Sequence, residues 1–390
     1  MTAAASALRC RICEHVEVPG PADDCSRCDG PTDVVYDLAA LSSLLSPARI
    51  ADSPASMWRY RDLLPAEVVD STSAVGWTPL VRAEVLSKAL EVDIRLKLET
   101  VNPTGSYKDR TAALAVAAAA GRGIETLCCA SDGPLGDAVA AEAAARGLEA
   151  IILAPAAVPS AHARARSFGA RVVAIEGTHD DCLRVARELR TLFPWGFIDG
   201  NLRPYAVEAT KTIAFEIAEQ LDWRLPSVVV SAIASGTLFA KMAQGFHELR
   251  AVGLITNPAP RLIGAQSTAC APVAAAYAEG HSHAIGDPVY GDLALGAARA
   301  SGGAVVAVDE RTIGGYVELV ALATGQRVDE SAGTALGAVV QAVRTGAIQK
   351  GETVVLVVSG SAAEASPTLT EPVRTTPARL DRVLQELGAD

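Results

Sequence analysis

Residues 102–110 read Asn102-Pro103-Thr104-Gly105-Ser106-Tyr107-Lys108-Asp109-Arg110, and this stretch decides how the rest of the chain is read. Pro103 and Gly105 end the apolar run before it. Ser106 and Asp109 have the S-x-x-D spacing of a capping box, so a helix is expected from about Tyr107. Lys108 then sits in the first helical turn, where the positive end of the macrodipole disfavours another positive charge. A lysine so placed is expected to lean toward the neutral amine, the form that condenses with an aldehyde. The plainer alternative is a solvated lysine in a local charge cluster with Asp109 and Arg110. Local physics alone does not separate the two.

Working outward, apolar β-branched runs recur at 93–98, 126–130, 149–153, 171–175, 227–233, 261–265, 304–308 and 353–358. Segments of helical periodicity lie between many of them, at 112–120, 138–145, 180–192, 207–220 and 239–250. Such alternation implies parallel sheets flanked by helices, an α/β fold. Residues 38–65 read as short helical pieces broken by Pro47, Pro54 and Pro65. The Pro- and Thr-bearing stretch 366–377 reads as a surface excursion before a last helix at about 378–387.

The chain has 390 residues, enough for two or three domains at about 150 residues each. Half of them are apolar but only 4% are aromatic, so the core must be built from Ala, Val, Leu and Ile. The net charge of −11 argues against a sequence-independent nucleic-acid binder, which needs basic surface. No uninterrupted apolar stretch is long enough to span a bilayer, and the start MTAAASALRCRICE lacks the apolar length of a signal peptide. A cytoplasmic location is expected, where disulfides are rare.

That leaves the cysteines another job. Cys10 with Cys13 and Cys25 with Cys28 form two C-x-x-C knuckles, the spacing of a closed, structural, tetrahedral zinc site. Gly20, Pro21, Asp23, Gly30 and Pro31 supply turns around them. Cys128, Cys129, Cys182 and Cys270 lie in apolar or helical contexts and are expected to be buried small hydrophobes.

The run around Lys108 resembles the lysine motif of the threonine synthases, within the fold-type II class of pyridoxal-phosphate (PLP) enzymes. The likeness extends over almost the whole chain. It takes in the zinc-ribbon start, Met57–Pro65, Gly76-Trp77-Thr78-Pro79-Leu80, Leu96-Lys97-Leu98-Glu99, Gly169–Val173, Lys211–Glu216 and Lys350–Val355. It implies a two-lobed, tryptophan-synthase-beta-like architecture: a zinc ribbon at 1–37, a large PLP-binding lobe from 38–100 and 200–390, and a small mobile lobe at 101–199. It further implies that Lys108 binds PLP as a Schiff base. The turn Ala234-Ser235-Gly236-Thr237, between an expected strand and helix, matches the family's phosphate loop, though it is also read as an ordinary turn capped by Ser235 or Thr237. Ser359 aligns with the residue facing the pyridine nitrogen, where a hydroxyl suits the neutral ring and restrains the electron sink. A homodimer acting on a small amino-acid-like substrate is expected, with no nucleic-acid or membrane partner.

Three family positions are altered. The turn that in relatives receives the substrate carboxylate reads Ser131-Asp132-Gly133-Pro134 here. Asp132 brings a negative charge to that place, and Pro134 has neither an N–H nor a side-chain donor. Where relatives carry an arginine for the substrate phosphate, the segment Arg203-Pro204-Tyr205-Ala206 has Ala206, with Arg203 as the nearest substitute. The readings that remain are a PLP lyase or β/γ-replacement enzyme with a substrate other than O-phosphohomoserine, a threonine synthase whose site has drifted neutrally, and a degenerate relative serving as a binding partner.

Overall fold

In the computed structural model, the described residues are 5–18, 24–66, 74–278, 290–362 and 373–388. Gly20, Pro21 and Asp23, expected as turn formers, lie outside them, as does the stretch 366–372. Fourteen strands among these residues form three sheets. A small antiparallel sheet holds β1 (Ala5–Cys10), β2 (Val16–Glu17) and β3 (Thr32–Tyr36), in the order β2-β1-β3. The larger sheet contains β4 (Leu80–Arg82), β5 (Asp93–Leu98), β10 (Val228–Ala232), β11 (Arg261–Ser267), β12 (Ala304–Val308) and β13 (Thr353–Val358). Its order is β12-β11-β10-β13-β5-β4, parallel except for the short edge strand β4. A five-stranded parallel sheet is built from β6 (Thr126–Ala130), β7 (Glu149–Pro155), β8 (Arg171–Glu176), β9 (Gly196–Phe197) and β14 (Thr375–Pro377), ordered β14-β8-β7-β6-β9.

The apolar runs became strands because helices cover both sheet faces, so no polar alternation is needed. Every residue from Val354 to Val358 is buried. One face of the larger sheet meets Ala332, Ala335, Leu336 and Val339 of the helix Glu330–Arg344. The other meets Leu238, Phe239, Met242 and Phe246 of the helix Thr237–Ala251. The helix Lys108–Ala120 is buried from Asp109 to Ala119, and its alanines let neighbouring helices pack closely, which accounts for a core with few aromatics. Near the end of the chain, β14 pairs with β8, and Val383 of the helix Leu380–Leu387 packs under the smaller sheet. Cys128, Cys129 and Cys182 are buried as expected, whereas Cys270 is exposed, because it follows β11 in a turn.

The core also holds charge. The guanidinium of Arg110 is fully buried between two carboxylates. Its Nε donates to Glu99 at 2.7 Å, and Nη2 donates to Glu99 and Glu216, each at 2.8 Å. Lys97, near the C-terminal end of β5, donates to Glu216 at 2.6 Å and to the Thr78 carbonyl at 2.7 Å. The four buried charges cancel. Glu216 also accepts from the N–H groups of Trp77 and Thr78, and Glu99 from Thr78 Oγ1 and Asn102 Nδ2. Gly76, at φ +85°, passes so close that a Cβ there would lie 2.6 Å from the Met57 nitrogen and 2.8 Å from Arg110 Nη1. Burial disfavours the Glu216 carboxylate, but Arg110 and Lys97 outweigh it and hold its pKa well below the usual range.

A second buried cluster joins Glu208, Lys211, Lys241 and Glu248, and reaches Asp33 of the small antiparallel sheet. On the other flank, Asp24 pairs with Arg190 of the helix His179–Arg190 at 2.5 Å. The N-terminal sheet thus touches elements of both larger sheets.

Removing one partner from the Arg110 cluster leaves a buried charge uncompensated. Glu216→Ala is expected to destabilise the protein by about 3–5 kcal/mol in denaturant titration. Asp381→Asn, which breaks an exposed pair with Arg379, should change stability by about 1 kcal/mol or less. Comparable losses for both would refute the structural weight given to the cluster.

Candidate active site

The loop 102–107 is sewn to the C-terminal end of β13. Tyr107 N donates to the Ser359 carbonyl at 3.0 Å, Ser106 Oγ to the same oxygen at 3.4 Å, and Ser361 N to the Gly105 carbonyl at 2.8 Å. Gly105 has φ +85°, and a Cβ there would collide with Ser361 Oγ, so this crossing requires glycine. The helix begins at Lys108, one residue later than expected. Asp109 accepts from Thr104 N, Thr104 Oγ1 and Ser106 N, as a capping box requires, but Ser106 Oγ accepts from Lys108 N instead of from the third residue along. Burial raises the Asp109 carboxyl to about 6 against these donors.

Lys108 is half-buried, with its ammonium 4.9 Å from the Tyr107 ring centroid. The expectation of a neutral amine is corrected here. Burial does pull its pKa down, but Tyr107, Asp199 and Cys129 outweigh that and leave it raised. The dipole is outweighed by its neighbour Tyr107 together with two groups distant in sequence, Asp199 and Cys129.

Asp199 was not singled out from sequence. It follows β9 and accepts from Ala130 N at 3.3 Å, which brings it to the end of β6. It is open to solvent yet set deep enough that desolvation raises its pKa, against His179, Lys108, the Ala130 N–H and Arg203. An aspartate closing an apolar run, in Phe197-Ile198-Asp199-Gly200, was the available signal.

The turn after β6 starts the helix Pro134–Ala145. Pro134 occupies its first turn, where a missing N–H does no harm. Asp132 is exposed. Ser131 is buried, and its hydroxyl stays within the turn, accepting from Gly133 N at 3.1 Å and Gly136 N at 2.8 Å. It also lies 3.2 Å from the Gly133 carbonyl, to which it donates, so the hydroxyl shapes the turn. Arg203 begins the short helix Arg203–Ala206, and its buried Nε has no hydrogen-bond partner among the described residues. Ala206 is buried in an apolar cluster with Leu8 and Val34.

Ala234, Ser235, Gly236 and Thr237 join β10 to the helix Thr237–Ala251. Gly236 has φ +84°, and a Cβ would lie 2.6 Å from the Tyr290 carbonyl oxygen. Tyr290 N donates to the Ser235 carbonyl at 2.9 Å, and the Ser235 and Thr237 hydroxyls are 3.0 Å apart. The first-turn N–H groups of a helix and two hydroxyls suit an anion such as a phosphate. The Ser359 hydroxyl lies 2.6 Å from that of Ser331. Lys108, Ser359 and the two turns all follow the C-terminal ends of parallel strands, where open α/β sheets bind ligands. A cleft of about 640 Å³ opens instead on the far side of the lysine loop, among Thr100–Gly105, Arg164, Gln326 and Arg327. Lys108 does not line it.

The four N-terminal cysteines come together. Their sulfurs all lie within 4.8 Å of one another, three pairs of them at 3.4–3.5 Å. A tetrahedral ion with metal–sulfur bonds of about 2.3 Å sets sulfurs about 3.8 Å apart, so the cluster fits one. Cys10 Sγ accepts from Ile12 N and Cys13 N. The residue after each knuckle, Glu14 and Asp29, is left-handed at φ 57° and 55°, so the two halves repeat one another.

Asp199→Asn removes an anion that stabilises the Lys108 ammonium. In the cofactor-free protein, reductive methylation of Lys108 followed by mass spectrometry should then rise at lower pH than in the wild type. An unchanged or upward-shifted profile would contradict the assigned coupling.

Comparison with known proteins agrees with this layout. Residues 71–360 match the family model described as pyridoxal-phosphate dependent enzyme. The chain is 32% identical to the threonine synthase of Methanosarcina acetivorans over 354 residues, covering 86% of each. It is 32% identical to that of Mycobacterium tuberculosis over 318 residues, covering 79% of this chain and 88% of the relative. Its fold is similar to maize serine racemase (TM-score 0.63, 19% identity, covering 74% of this chain and 88% of that one). It is also similar to the processed form of threonine deaminase isoform 2 from Solanum lycopersicum (TM-score 0.62, 22% identity, covering 84% and 86%). The chain belongs to the family of pyridoxal-phosphate-dependent enzymes, with threonine synthases among its relatives.

Proposed function

We propose that this protein is a PLP-dependent lyase or β/γ-replacement enzyme acting on an amino-acid-like substrate other than O-phosphohomoserine. The observation that carries the reading is the distribution of charge: Asp199 acts on Lys108, Asp132 adds an exposed carboxylate on the turn after β6, and Ala206, where relatives carry an arginine, is sealed in the core. A threonine synthase must hold a carboxylate and a phosphate together, and with Ala206 in place of an arginine the nearest substitute is Arg203. Its Nε, which has no partner among the described residues, supports a role in substrate binding.

In this reading Lys108 holds the cofactor, residues 234–237 take its phosphate, and Ser359 faces its ring nitrogen. Bound there, the cofactor supplies an electron-withdrawing ring that acidifies the carbon carrying the substrate amine. Lys108 is the group positioned to move that proton. Asp132 and Gly133, on the turn shaped by Ser131, border the substrate. Cys10, Cys13, Cys25 and Cys28 hold one structural zinc ion. A homodimer and a cytoplasmic location remain part of the proposal. Among the described residues, no helix is long and apolar enough to cross a membrane.

Borohydride reduction of the cofactor-loaded protein should fix the label on Lys108, and unmodified Lys108 from saturated protein would overturn the assignment. Threonine formation from O-phosphohomoserine should fall below the ordinary enzyme range of about 10⁴–10⁸ M⁻¹s⁻¹ in kcat/KM. A value inside that range would mean that the altered positions do not matter. Asp132→Ser should tighten binding of amino-acid carboxylates. Repulsion at about 4 Å is worth about 1 kcal/mol in open water and about 4 kcal/mol at a partly shielded surface, and the exposure of Asp132 favours the lower figure.

Elemental analysis should find about one zinc per chain, lost when Cys10 and Cys13 are replaced together. Zinc retained by that double variant would refute the ligand set.

A further inference from the structure

The hydroxyl of Ser359 is the first member of a short chain. Ser331 Oγ lies 2.6 Å from Ser359 Oγ and donates in turn to Asp329 Oδ1. Asp329 caps the helix Glu330–Arg344, and the same Oδ1 accepts from Ser331 N at 3.1 Å and Ala332 N at 3.4 Å. Its backbone is tied to the site by Asp329 N donating to the Gly360 carbonyl at 3.2 Å. A Cβ on Gly360 would lie 2.7 Å from Asp329 Oδ2, so the carboxylate packs directly beneath the end of β13.

The direction of the chain follows from counting protons. Asp329 Oδ1 already receives two backbone N–H groups, so any proton the carboxyl carries belongs on Oδ2, and Oδ1 acts as an acceptor. Ser331 has one hydroxyl proton. Were it turned toward Ser359, the Ser331 and Asp329 oxygens would face each other lone pair to lone pair. The proton therefore goes to Asp329, and Ser331 accepts from Ser359. With its own proton turned inward, Ser359 has only lone pairs left to offer the cleft.

We infer that Asp329 and Ser331 are positioning residues that make Ser359 a hydrogen-bond acceptor, so that a ring nitrogen meeting it is held in its protonated form. This rests on the proposed cofactor site. It reverses the sequence-based expectation, in which the Ser359 hydroxyl serves a neutral nitrogen and restrains the electron sink. A protonated ring withdraws electrons more strongly, which widens the chemistry open to the site.

The test uses full-length protein loaded with cofactor labelled with ¹⁵N at the pyridine nitrogen, with the ¹⁵N chemical shift read at neutral pH. The wild type should give the shift of a protonated nitrogen, and Ser331→Ala that of an unprotonated one. Ser331→Thr, which restores the hydroxyl, should return the wild-type shift. Ser331→Ala keeps the backbone N–H groups that Asp329 caps, and its melting temperature checks that it folds. An unprotonated nitrogen in the wild type, or the same shift in wild type and Ser331→Ala, overturns the inference and leaves the cofactor assignment standing. No bound label, together with unmodified Lys108 after borohydride, overturns both.

Discussion

The buried guanidinium of Arg110 is the constraint on which the rest of the site depends. It sits two residues after Lys108 on the same helix, so fixing it fixes the lysine's backbone. Its two carboxylate partners come from the end of β5 and from the helix Thr212–Gln220, and those carboxylates also hold the loop 76–78 and Asn102. A buried ion pair is a weak contributor to net stability, because desolvation offsets most of the attraction. Its value lies in geometry. Once Glu99 and Glu216 are committed, few other arrangements of five chain segments leave no charge stranded, and Lys108 is held at the strand ends rather than merely near them.

Much of this was legible. The strands at 93–98, 126–130, 304–308 and 353–358 were read to the residue, because β-branched runs buried on both faces carry their own signal. β4, β9 and β14 were missed, since two or three residues pair only because a neighbour is already in place. The cysteine knuckles were legible because their spacing encodes their geometry. Lys97 was masked by its pattern: Asp93, Arg95 and Lys97 alternate along β5 as on a strand with a polar face, yet Lys97 is fully buried and needs its partner.

The chemistry at Lys108 was harder to read, for a definite reason. Local sequence gave its place on the helix and hence the dipole's effect. The opposing influences come first from Tyr107 next to it, and then from Asp199 and Cys129, brought in by β9 and β6 of the other parallel sheet. The state of Ser359 was hidden for the same reason, since its partners lie in the turn before another helix. Electrostatic character is a property of the assembled cleft, and sequence neighbours predict it poorly.

The pairing of β14 with β8 has a consequence for how such a chain is made. Thr375 donates to Glu176 across a separation of 199 residues, so during synthesis β8 waits for its outer neighbour while β10 to β13 of the larger sheet are being translated. Until then it presents a bare backbone edge, the feature that recruits stray strands. The strand that finally covers it ends in Pro377, which has no N–H to extend the ladder outward. The segment that completes the sheet also ends its growth, so a nascent chain is most exposed to mispairing before that segment emerges and least exposed after.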